Sequence, residues 1–166
     1  MLVFPALWCF ALSLPAGWDL PVVVRAELDS AYPGWRQAGA AAQIREWFAQ
    51  SMFGHQPDLI TADFDSDGAT DYALRILSPA GRHITLAFLD RRGRFARHLL
   101  AEDPADPFVY LLLFRKGTKD FDFEAMKPFR YARDAVAVMY FDRTPLVFSY
   151  SKGAFRKKVL LSDEEH

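Results

Sequence analysis

Cysteine is nearly missing from this chain: Cys9 is the only one, and it lies in an apolar N-terminal stretch. Once that stretch is removed, the remaining domain can form no disulfide, thiol nucleophile or zinc–thiolate site. Histidine is sparse too. His55, His83, His98 and His166 share no i,i+4 or other short ligand spacing, and they read as surface or strand residues. No nucleophile elbow, Walker loop, HExxH helix, dinucleotide fingerprint or CxxC pair occurs. A Ser-His-Asp triad assembled from distant positions is left open. Charge of one sign is lacking as well. The net charge of -1 gives no overall field to recruit nucleic acid or anionic membrane. Long hydrophobic runs are confined to residues 1–16, which hold no charged side chain but contain Pro5 and Pro15 and are soon followed by Asp19. That run falls short of the ~20 residues a membrane span needs. It reads as a signal peptide, with Ala16 and Gly17 as small residues near a cleavage point. A periplasmic or secreted protein is therefore expected, with no membrane span after signal removal and a single domain over 17–166.

What is plentiful is aromatic and acidic. Aromatics make up 15% of the chain and phenylalanine alone contributes 15 residues, a load that suits packed strands better than a helical bundle. The acidic signal is concentrated in Asp63-Phe64-Asp65-Ser66-Asp67-Gly68-Ala69-Thr70-Asp71-Tyr72. Four carboxylates crowded into one short loop repel one another unless something holds them, and a hard, oxygen-preferring cation such as Ca2+ suits that task. The expected ligands are the side chains of Asp63, Asp65, Asp67 and Asp71 and the backbone carbonyl of Ala69, with Gly68 making the sharp turn. An EF-hand is excluded: its twelfth position would need a bidentate Glu, and Leu74 stands there. Leu59-Ile60-Thr61-Ala62 leads in and Tyr72-Ala73-Leu74-Arg75-Ile76-Leu77 leads out, alternating with period two as strands do. The alternative is an ion-free Asp/Gly turn, which needs only one or two such residues.

The Asp-x-Asp-x-Asp-Gly-x-x-Asp core between strands resembles the FG-GAP/VCBS calcium loop of integrin alpha-chain propellers and many secreted bacterial proteins. The four Asp positions and the Gly match, so the resemblance implies a metal role for them. It covers only about residues 60–77, and the motif occurs once. One copy excludes a complete propeller, which needs several blades. Tyr32-Pro33-Gly34-Trp35 ahead of a single Asp loop is also similar to small exported bacterial proteins.

Along the chain, Asp19-Leu20-Pro21 opens a first helix whose stripe is Leu20, Val24, Leu28 and Tyr32, ended by Pro33-Gly34. Trp35 is expected as a core anchor. A second helix is expected over 40–53, burying Ile44, Trp47, Phe48 and Met52 and capped by Gly54. Strands follow: a hairpin of 72–77 and 83–89, then 95–100, 109–114, and a meander of 135–141, 146–150 and 154–161. Residues 102–107 read as a surface loop, 115–133 as a long loop with a helical turn, and the acidic end from Ser162 as frayed. These elements predict an α+β fold, with two N-terminal helices packed on a mostly antiparallel β-sheet.

The basic cluster Arg91-Arg92-Gly93-Arg94 with Arg97 reads as a solvated turn, and Arg156-Lys157-Lys158 as charge protecting an edge strand. The expected function is an exported, non-catalytic calcium-binding domain acting on a protein or envelope component. The alternative is a small envelope hydrolase or hydrolase inhibitor using 115–133.

Overall fold

A computed structural model describes residues 18–122 and 125–159; the expected signal peptide and the acidic end lie outside them. The element order is α1 (Val22–Ala31), β1 (Arg36–Gln37), α2 (Ala42–Gln50), β2 (Leu59–Ala62), β3 (Asp71–Leu77), β4 (Arg82–Asp90), β5 (Phe95–Pro104), β6 (Tyr110–Phe114), β7 (Lys119–Asp122), β8 (Lys127–Arg130), β9 (Ala135–Met139), β10 (Leu146–Ser151) and β11 (Ala154–Val159). Two antiparallel sheets carry the fold. The first runs β1-β3-β4-β5, with β2 also pairing on β3, and the second runs β11-β10-β9-β6.

Alternation explains which side chains meet. Ala62, Ala73 and Leu89 from the first sheet join Leu111, Val136, Val138 and Phe148 from the second in one buried cluster between them. The opposite face of the first sheet presents Leu74, Ile76, Ile84, Leu86 and Phe88. It is covered by Val24 and Leu28, which are one helical turn apart on α1, and by Trp18 and Leu20. The outer face of the second sheet buries Ala135, Ala137 and Val147 beneath Tyr131 and Phe129. Tyr131 stacks on Phe114 with ring centroids 5.3 Å apart.

The expected α+β class is corrected to mostly β: strands hold 45% of the residues and helices 14%. The two helices do not lie together on one sheet. Only α1 covers the first sheet. α2 sets Phe48 and Trp47 edge-on against Tyr110 of the second sheet, at 5.7 and 5.4 Å. Because α2 meets an edge rather than a broad face, only Phe48 of its expected stripe is buried, while Trp47 and Met52 are exposed. The helix closes at Ser51, earlier than Gly54. Trp35 is half-buried, stacked on Trp18 and donating from Nε1 to Asp29 at 2.8 Å.

The 115–133 stretch is not a loop with a helical turn but the β7–β8 hairpin. Asp120 accepts from the Tyr131 hydroxyl at 2.6 Å, so the base of this hairpin is tied to the aromatic layer. The expected 102–107 loop begins later, since β5 extends to Pro104.

Candidate metal centre

β2 and β3 pair from Leu59↔Leu74 to Ala62↔Asp71, so residues 63–70 form a loop closing the open end of a hairpin. Phe64 drops into the inter-sheet core, fully buried, and pins the loop from beneath. Asp63 and Asp65, on either side of that buried ring, lie at the mouth of the loop beside Asp71.

Asp71, wholly buried at the start of β3, accepts from the Phe64 amide at 2.8 Å and from the Asp90 amide at 2.9 Å. Asp63 accepts from the amides of Asp67 (3.1 Å) and Gly68 (3.0 Å). Asp65 also accepts from the Asp67 amide, at 3.2 Å. Gly68 has φ +87°, which lets the chain turn back towards β3. One carboxylate oxygen from each of Asp63, Asp65 and Asp71 lies within 4.8 Å of the other two. Oxygens gathered at that spacing could share one cation.

The remaining expected ligands stand at the rim. Asp67 is exposed; its Oδ1 accepts from the Ala69 amide at 2.8 Å, and its Oδ2 lies 3.5 Å from Arg91. Ala69 is half-buried.

Electrostatics favour a positive charge here. Burial, with the nearby charges of Asp65 and Asp67 adding to it, pushes the Asp71 carboxyl up to about 6 despite the two backbone amides that oppose this. Arg91 supplies one cation. Its guanidinium pairs with Asp65 and donates from Nη2 to the Tyr150 hydroxyl at 2.9 Å. Sequence reasoning placed Arg91 in a solvated turn. Its partner Asp65 is 26 positions away, so only the tertiary fold makes the pair. An open cavity of about 520 Å³ adjoins the loop, lined by Asp63, Ser66, Asp67, Gly68, Lys116 and Asp134.

A second polar cluster is buried between the sheets at the far end of β3. Arg75 donates from Nη1 to Asp58 at 3.0 Å and to the Val109 carbonyl, and from Nη2 to His83 Nδ1 at 2.6 Å. Asp58 accepts from the Ala40 amide as well, at 3.0 Å. Burial pushes the Asp58 carboxyl up and Arg75 down, each opposed by the charge of the other. The available signal was Arg75 itself, which shares the Ala73 face of a strand whose other face is Leu74 and Ile76. His83, expected as a surface or strand residue, is a strand residue but a buried one.

No protein-family model matches the chain, and neither a curated protein nor a solved structure does. Among the described residues no helix is long and apolar enough to cross a membrane.

Proposed function

We propose that this chain is an exported, non-catalytic calcium-binding domain whose strand–loop–strand site stiffens the β2–β3 hairpin for contact with a protein or envelope component. The observation that carries this reading is the convergence of Asp63, Asp65 and Asp71 oxygens within 4.8 Å at the mouth of that hairpin. The donor set is all oxygen and anionic, which suits a hard cation and not a soft one. Asp67 and the Ala69 carbonyl complete the proposed ligand set, in keeping with the FG-GAP/VCBS-like spacing of the loop. Ca2+ is favoured over Mg2+ because a flexible loop with five oxygens suits a larger ion of variable coordination.

In this reading Arg91 is the internal counter-ion that the metal displaces from Asp65 and Asp67. Release of Arg91 also frees the Tyr150 hydroxyl on β10, so filling the loop is felt at the second sheet. An ion that binds the folded loop and not the open chain adds about 2.7 kcal/mol at a hundredfold excess over its Kd, a rise of roughly 5–10 °C in Tm. Thermal unfolding in EDTA, Ca2+ and Mg2+ tests this. Ca2+ is expected to give the larger rise, and Asp65→Ala to remove most of it. An unchanged Ca2+ shift in Asp65→Ala would sink the ligand assignment.

A further inference from the structure

The buried cluster around Arg75 includes one group whose protonation state decides whether a neighbouring segment stays shut. His83 stands on the inner face of β4, 4% exposed, with Nδ1 turned to two donors. One is Arg75 Nη2 at 2.6 Å, the other the Asp106 amide at 3.2 Å. Both can only donate, so Nδ1 must accept and the neutral ring carries its proton on Nε2. The Ala38 backbone beside the ring favours its protonated form, by less than burial and Arg75 oppose it.

Residues 105–109 are tied into this arrangement, with Ala105 separately donating from its amide to the Gly81 carbonyl at 3.2 Å. Besides the Asp106 amide on His83, the Asp106 carbonyl accepts from Arg75 at 3.4 Å and the Val109 carbonyl accepts from Arg75 Nη1. The segment in turn holds the start of α2, whose Ala41 amide donates to the Pro107 carbonyl at 2.7 Å. It carries exposed Phe108 and walls a cavity of about 180 Å³ with Tyr140, Asp142 and Arg143.

We propose that His83 is an acid-sensitive latch: neutral, it holds the 105–109 segment shut through Nδ1, and protonated, it releases that segment with Phe108 and the cavity wall.

A proton on Nδ1 would turn the acceptor into a donor facing a guanidinium and an amide, so both contacts must break. The charged groups around the ring do not offset this. Arg75 on β3 repels the imidazolium. Asp106 in the segment and Asp103 on β5 favour it, but Asp103 is already engaged by Arg143 at 2.5 Å and by the Tyr140 hydroxyl at 2.7 Å. Asp58, before β2, is bound to Arg75. Burial comes first and Arg75 second in holding His83 down to about 4, below its ordinary 6.5. The folded value is the depressed one, so the closed state is favoured fully above pH 6.5. That preference is lost as pH falls from 6.5 through 4.

Amide hydrogen exchange on the full chain, corrected for intrinsic rates, reads the latch directly. Protection at Ala41, Asp106 and Val109 should fall about 50-fold between pH 7 and pH 4.5, beyond any change in the core of β9. His83→Asn offers a side-chain carbonyl in place of Nδ1 and does not titrate, so its loss over the same range should stay within about threefold. Equal protection at both pH values in the native chain would overturn the proposal, as would an equal loss in His83→Asn. Should that variant not fold, the ring resonances of His83 in the native chain decide. A shared midpoint for the ring and the Asp106 amide supports the latch, and separate midpoints overturn it.

Discussion

Arg75 is 1% exposed, and its guanidinium is shared among Asp58, His83 and the carbonyls of Val109 and Asp106. Its long stem reaches the inter-sheet space from β3, and its donors tie together two side chains, Asp58 and His83, and two backbone carbonyls, those of Asp106 and Val109. Removing one partner of such a pair strands the other as a buried charge. Arg75→Met should therefore cost about 3–5 kcal/mol in urea unfolding, and a loss below about 1 kcal/mol would mean Asp58 finds another counter-charge. The clustered carboxylates Asp63, Asp65 and Asp71 were readable because they lie within nine positions of chain, whereas Asp90, Arg91, Lys116, Asp134 and Tyr150 reach the site from elsewhere. Asp58, Arg75 and His83 were not, since the pairs that matter span 17 and 8 positions and Val109 lies 34 away. Arg91 likewise looked like turn charge until β4 brought it over Asp65.

At the scale of elements, the 63–70 loop was legible because its spacing is a local rule: alternate carboxylates, then a glycine. Gly68 has φ +87° with nothing within 4 Å of the place a Cβ would take, so a substitution there meets backbone strain and no clash. Gly68→Ala should lower stability by about 1–2 kcal/mol and weaken the cation response; unchanged unfolding with and without Ca2+ would show that the turn is not under constraint. Strands built on short apolar runs bounded by turn residues were placed to within a few positions, as with β3, β4 and β9. The β7–β8 hairpin was not, because Lys119-Asp120-Phe121-Asp122 and Lys127-Pro128-Phe129-Arg130 carry too much charge to show an apolar face. Pro128 lies within β8, and a two-stranded edge tolerates it. α2 failed in a different way. Its helical period was right, but periodicity cannot say whether a stripe meets a sheet face or only its edge.

For the whole molecule, the partition into two sheets was the hidden step. Hairpins such as β3–β4 and β9–β10 follow from turns of a few residues, whereas β6 finds β9 across the β7–β8 hairpin. That long-range pairing turns a single expected sheet under two helices into two sheets sharing one core, with α1 on the outer face of one of them. The carboxylate loop and the Arg75 cluster then lie at opposite ends of β3, which joins them through the core. In this account the chain is a β-rich scaffold presenting one cation-filled loop. Isothermal titration of the purified protein with Ca2+, then with Mg2+, tests that claim most directly. The account predicts one Ca2+ per chain, a weaker Mg2+ response, and loss of the Ca2+ isotherm in Asp63→Ala. No saturable Ca2+ binding, or an isotherm that Asp63→Ala leaves intact, would contradict it.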